Sequence, residues 1–122
     1  MLTEDQLWRR IRDLQGQTIY TIVRQSPNPI SRVNDDRVEI NARATTVSRG
    51  DLWLVYQELH RRGQVTRDDL YGARSIVGHP YAKKTGRVMM AILARAVPEE
   101  IQVIRPNRLQ RLSGIRRRQE AR

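Results

Sequence analysis

The apolar residues near the start of the chain change period at Gly16. Ahead of it Leu7, Ile11 and Leu14 recur at helical spacing with Trp8 beside the stripe. Behind it, Gln17 to Arg24 reads Gln-Thr-Ile-Tyr-Thr-Ile-Val-Arg, a β-branched and aromatic run that predicts a strand. A chain that switches period across one glycine has to pack a helix against strands, which excludes an all-helical bundle and a pure sheet. Thr3 with Gln6 forms a capping box for the first helix, and Glu4 and Asp5 sit at its positive end. Ser26-Pro27-Asn28-Pro29 is turn chemistry. Short strands at Ile30 to Asn34 and Arg37 to Ala42 flank Asn34-Asp35-Asp36. In the latter strand Val38 and Ile40 alternate with Arg37, Glu39 and Asn41, giving a sheet with one wet face. The three strands form an antiparallel meander.

The second half reads as helices. Ser48 opens one, Leu52, Val55 and Leu59 stripe it, and Gly63 ends it. Thr66 with Asp69 predicts the cap of another, and Gly78-His79-Pro80 reads as a turn into a third, about Tyr81 to Val97. On a helical wheel this third helix places Ala82, Thr85, Met89, Ile92, Leu93 and Ala96 on one side. Lys83, Lys84, Arg87 and Ala94 lie opposite, with Arg95 at the flank. Ile101 to Ile104 predicts a last short strand. From Arg105 onward the chain is Arg-rich with a single acid, Glu120, and Arg116-Arg117-Arg118 reads as a mobile segment.

The 122 residues suffice for one core. There is no cysteine, which excludes disulfides, thiolate metal sites and cysteine nucleophiles. Two histidines, His60 and His79, leave little for a histidine metal cluster. No apolar run approaches a bilayer span, and Met-Leu-Thr-Glu-Asp-Gln-Leu-Trp is wrong for a signal or transit peptide, so the expected setting is soluble and cytoplasmic. Lys and Arg number 23 against 13 Asp and Glu, a formal net charge of +10. That surplus points to a polyanion, nucleic acid before membrane. All the cations except Lys83 and Lys84 are arginine, a bias that suits phosphate and guanine contacts but that a GC-rich genome also produces.

Helix, Gly63 turn, short capped helix, loop and basic helix make the outline of a helix-turn-helix, whose last helix enters the DNA major groove. The candidate reader presents Lys83, Lys84 and Arg87, with Arg95 at its edge and Arg74 and His79 in the loop before it. Arg116, Arg117 and Arg118 are candidate phosphate contacts from the tail. Each feature also has a structural explanation: a three-helix packing unit with a basic exposed face, and a solvated terminus or a segment that docks on a protein. Arg61-Arg62 is accounted for by the negative end of its helix.

Catalysis has weaker support. Asp35-Asp36 with Glu39 is the densest acidic cluster, yet it sits where a tight turn wants Asn and Asp and lacks the lysine of a Glu-x-Lys nuclease signature. Asp68-Asp69 is explained by capping. His60 or His79 could serve a metal-free ribonuclease, but their separation in sequence suits a packing residue and a cap better. No catalytic residue, metal site or cofactor is assigned.

Residues 16–98 resemble a small module attached to bacterial restriction-type nucleases and related defence proteins, where it usually precedes a nuclease or ATPase domain. The resemblance rests on Gly16-Gln17-Thr18-Ile19-Tyr20-Thr21, Val33-Asn34-Asp35-Asp36-Arg37-Val38 and Ser48-Arg49. It continues through Gly63-Gln64-Val65-Thr66, Ala91-Ile92-Leu93-Ala94 and Val97-Pro98. It implies a fold and a DNA-associated setting, and no catalytic site. The paired lysines and the basic tail fall outside that pattern.

The expectation is therefore an α+β fold. An N-terminal helix and a three-stranded antiparallel sheet pack on a helix-turn-helix-like trihelical unit, with one domain over residues 1–104 and an Arg-rich tail over 105–122. The expected function is non-catalytic nucleic-acid binding, duplex DNA preferred, as a regulator or as the targeting subunit of a restriction or defence system. The expected partners are DNA and a nuclease or other protein, with no membrane. A homodimer would pair two readers on a spaced half-site. The alternatives are a small toxin-like ribonuclease and an RNA- or ribosome-associated protein. The latter is disfavoured because Tyr20 is the one aromatic its sheet offers for base stacking.

Overall fold

A computed structural model describes residues 1–70, 75–78, 83–106 and 113–118, the side chain of Lys83 excepted. The elements are α1 (Glu4–Arg12), β1 (Thr18–Tyr20), β2 (Pro27–Val33), β3 (Arg37–Ile40), β4 (Thr45–Ser48), α2 (Arg49–Arg62) and β5 (Gln64–Thr66). A 3-10 turn (Arg67–Asp69), α3 (Lys83–Ala96), β6 (Ile101–Ile104) and β7 (Gly114–Arg117) follow. The class is α+β, as expected.

The capping box forms at α1: Gln6 N donates to Thr3 Oγ1 at 3.2 Å and Thr3 N to Gln6 Oε1 at 2.9 Å. Leu7, Trp8 and Ile11 are buried beneath it, and Trp8 Nε1 donates to Asn34 O at 2.7 Å, tying the helix to the β2–β3 turn.

The first sheet has four antiparallel strands in the order β1-β2-β3-β4, one more than expected. β1 stops at Tyr20 rather than Arg24 because Thr21 closes a loop on itself. Its Oγ1 accepts from Ser26 N at 3.1 Å, its N donates to Ser26 O, and its O accepts from Gln25 N. β3 stops at Ile40 because Asn41, Ala42 and Arg43 take φ of 53°, 52° and 78°, left-handed backbone that turns the chain into β4.

Ser48 caps α2 through Asp51 N, and Gly63, at φ 85°, ends it. The segment expected to start a helix at Thr66 is instead β5 followed by the 3-10 turn. Asp69 does reach back to Thr66 N at 2.8 Å, but no α-helix grows from it among the described residues. In place of three helices after the first sheet, the described residues hold two helices and this turn, clamped by a second antiparallel sheet in the order β5-β7-β6.

The central strand of that sheet corrects another expectation. Gly114–Arg117, read as tail, pairs with both Gln64–Thr66 and Ile101–Ile104, and Ile115 is fully buried. Three arginines follow the apolar Ile115 in sequence and mask the strand pattern. The backbone passes so close that a Cβ on Gly114 would stand 2.5 Å from Val65 O.

One core fills the molecule, and α3 runs through it. Val88, Met89, Met90, Ala91, Ile92 and Leu93 are all buried. Consecutive residues that sweep more than one turn leave no side of the helix open. α1 and β1 pack on it from the first half, and α2, β6 and β7 from the second.

Candidate nucleic-acid interface

The burial of α3 bears directly on the expected reader helix. A helix that lies in a major groove presents one side along several turns. Here the middle of α3 is enclosed, so the free cationic face expected along the helix is reduced to its first turn and to the Ala94–Arg95 edge. Lys84 is exposed and Arg87 is half-buried. Arg95 lies two turns further on and donates from Nη2 to Gln17 Oε1 at 3.4 Å. Lys83 opens α3, but its side chain, together with Arg74 and His79, lies outside the described residues.

The tail arginines are not gathered with these groups. Arg116 Nε donates to Gln102 Oε1 at 3.1 Å across the second sheet. Arg117 Nη1 donates to His60 O at 2.8 Å at the end of α2, where a cation opposes the negative helix end. Arg118 Nε donates to Pro98 O at 2.8 Å. Each of the three is thus tied by a hydrogen bond to another part of the chain.

Lys84 and Arg87 instead face a cleft of about 440 Å³. One wall is the loop 21–26 between β1 and β2, which contributes Arg24, and the start of β2, which contributes Asn28. Arg67, from the 3-10 turn, and Pro106, just past β6, complete it. Arg105 Nη1 donates to Ile22 O at 2.6 Å and fixes the loop to the end of β6. Four cations line the cleft, and no carboxylate does among the described residues.

The carboxylates are engaged elsewhere. Asp35 pairs with Arg12, Glu99 with Arg10, Glu4 and Asp5 with Arg49, and Glu58 with Arg61 and Arg62. The Glu58 carboxyl is held below its ordinary range, chiefly by the hydrogen bond from Arg61. Glu39, buried on β3, lies between Arg37 at 3.1 Å and Arg43 at 3.5 Å. Among the described residues Arg67 is the cleft cation with a carboxylate beside it, Asp68 at 3.9 Å from its Nε. These pairs offset cations around α1, β3 and α2, and the cleft is one of the places where cations stand without such a partner among the described residues.

Three polar atoms of the lining are buried with no hydrogen-bond partner among the described residues: Arg67 Nε, Arg87 Nε and Asn28 Oδ1. Two are donors and one is an acceptor. Buried polar groups are rarely left unpaired, so atoms of this kind mark where a ligand or water completes the site.

The acidic residues weighed for catalysis are held by structure. Asn34 Oδ1 accepts from Asp36 N and Arg37 N and shapes the turn, and Asp35 is taken by Arg12. His60 faces Glu100 and Tyr56, far in sequence from Glu39.

Reading the sequence alone missed Arg24, Asn28 and Arg67. Asn28 lies in a run that turn chemistry explains, Arg24 just ahead of it, and Arg67 in one that capping explains. No local pattern joins these segments to Lys84 and Arg87; packing of the first sheet beside α3 does. No helix among the described residues is long and apolar enough to cross a membrane. No protein-family model, curated protein or solved structure matches the chain.

Proposed function

We propose that the protein binds nucleic acid without cleaving it, duplex DNA first, through the cationic cleft at the start of α3. The carrying observation is the convergence of Arg24, Arg67, Lys84 and Arg87 on one concavity with no lining carboxylate among the described residues, while Asp35, Glu39 and Glu58 pair with arginines outside it. Such a concentration of positive charge recruits a phosphate polymer by releasing its counterions.

The order α2, β5, 3-10 turn, α3, β6, β7 supports the helix-turn-helix-like reading in a modified form. The β6–β7 pair stands as a wing beside the helices, and the connection between them carries Arg105, Arg108 and Arg111 in sequence. With α3 enclosed, its first turn rather than its length meets the duplex. The resemblance of residues 16–98 to modules of restriction-type nucleases favours work as a targeting subunit of a defence system, with a regulator acting alone as the second setting.

Fluorescence anisotropy with a labelled duplex over a salt series tests this. The slope of log K against log[salt] should approach about 0.9 for each phosphate neutralised, so roughly 3–4 if all four cleft cations engage. Binding that ignores salt, or that strengthens on structured RNA over duplex DNA, overturns the DNA reading. Strand scission with Mg²⁺ overturns the non-catalytic one.

A further inference from the structure

We infer that the cleft receives a single unpaired nucleotide, its phosphate among Lys84, Arg67 and Arg87 and a hydrogen-bond donor of its base on Asn28 Oδ1. This rests on the nucleic-acid reading above and specifies what the site takes from the polymer.

The argument turns on Asn28. It lines the cleft from β2 and is 1 % exposed; its Nδ2 donates to Ser26 O at 2.9 Å, which fixes the orientation of the amide and leaves Oδ1 buried without a hydrogen-bond partner. A phosphate carries only acceptors and cannot satisfy it. A ligand with anionic oxygens alone would answer Arg67 Nε and Arg87 Nε and leave Asn28 unanswered. A nucleotide carries both kinds of group, since every base has at least one N–H on its pairing edge.

Size and lining agree. About 440 Å³ falls in the range of cavities that enclose a small organic ligand, whereas backbone tracking needs only a shallow charged surface. Val23, Pro27 and Pro106 add apolar surface, and arginine guanidinium planes can cover a base face. An unpaired base meets the site at least cost, because its stacking and pairing are already lost. The same chemistry could be supplied by a free mononucleotide.

The test compares anisotropy titrations of one duplex in four forms: fully paired, with a bulged thymidine, with a bulged N3-methylthymidine, and with an abasic bulge. Thymine has one N–H donor and the methylated base none, so the comparison changes the ligand and leaves the protein intact. The bulged thymidine should bind about tenfold more tightly than the paired and abasic duplexes, and N3-methylation should remove about fivefold of that gain. Asn28→Ala, checked by thermal melting, should bind thymidine and N3-methylthymidine bulges equally and keep the parent's salt slope. Displacement of the bulged duplex by thymidine monophosphate supports the same cleft with a free nucleotide as its source. Equal affinity for all four duplexes overturns the inference while sparing the nucleic-acid reading; absence of binding to every duplex overturns that reading itself.

Discussion

Tyr56 Oη donates to Glu100 Oε1 at 2.6 Å, joining α2 to the turn after α3. The same carboxylate oxygen lies 2.8 Å from His60 Nε2, and Glu100 Oε2 stands 3.8 Å from the N-terminal ammonium. Burial and this hydrogen bond push the Tyr56 hydroxyl well above its ordinary range. For Glu100, burial alone would raise the carboxyl, but the hydrogen bonds to Tyr56 and His60 and the nearby ammonium outweigh it and hold the group below its ordinary 4.5. An acid whose pKa is lower in the folded state contributes stability above its unfolded value and loses it as pH falls through the folded one. Urea denaturation should therefore give stability that declines from about pH 4.5 downward. Tyr56→Phe should cost about 1–2 kcal/mol at neutral pH and flatten that decline. A variant that keeps the parent's acid limb would show that Tyr56 does not hold the carboxylate.

Gly114 should tolerate no side chain. An added Cβ would meet Val65 O at 2.5 Å and Thr66 Cα at 3.1 Å, both backbone atoms held in the second sheet. Gly114→Ala should destabilise by about 1–3 kcal/mol or more, as overpacking does where the neighbour cannot yield. Gly86→Ala is the internal comparison. Its Cβ meets the Leu70 side chain at 3.3 Å, which can shift by a few tenths of an ångström. Thermal melting of both variants should rank Gly114→Ala as the more damaging.

How far the fold was legible depended on whether its signals were local. Thr3 with Gln6, Ser48 and Gly63 announced α1 and α2 because caps and stops act within a few residues, and each makes its expected contact or dihedral. Ile101 to Ile104 read as a strand and is one. β7 was hidden because three arginines follow Ile115, its one buried residue with an apolar side chain, and their acceptors, Gln102, His60 O and Pro98 O, come from elsewhere in the chain. The wheel of α3 separated a cationic from an apolar side, yet Val88, Met90 and Ala91 lie off the apolar side and are buried too, against elements the wheel does not contain. Lys84 and Arg87 were legible as cations; Arg24, Arg67 and Asn28 join them only through tertiary packing.

Two sets of arginine and lysine substitutions should separate the cleft from the second sheet. Lys84 has no acid partner among the described residues and Arg87 Nε has no partner of any kind there, so both are available to phosphate. Lys84→Ala with Arg87→Ala should lower the salt slope by roughly 2 and weaken duplex binding, with little change in melting temperature. Arg116 and Arg118 already donate to Gln102 and Pro98. Arg116→Ala with Arg118→Ala should leave the slope within about one phosphate of the parent. The reverse ranking would move the interface to the second sheet.

Shortening the chain distinguishes a strand from an arm. Ending it after residue 112 removes Ile115, which is fully buried, and the hydrogen-bond partners of both β5 and β6. It also removes the Arg117 donor from the end of α2. Two strands would then carry unpaired backbone groups beside an opened core, and the combined cost exceeds what a domain of this size has in reserve, about 5–15 kcal/mol at most. The shortened chain should lose its cooperative thermal transition and its near-ultraviolet circular dichroism. Ending the chain after Arg118 keeps β7 and should preserve both signals. If the chain ending at 112 melts like the parent and loses only DNA affinity, residues 114–117 act as a free basic arm, and the second sheet is not what holds α3 in place.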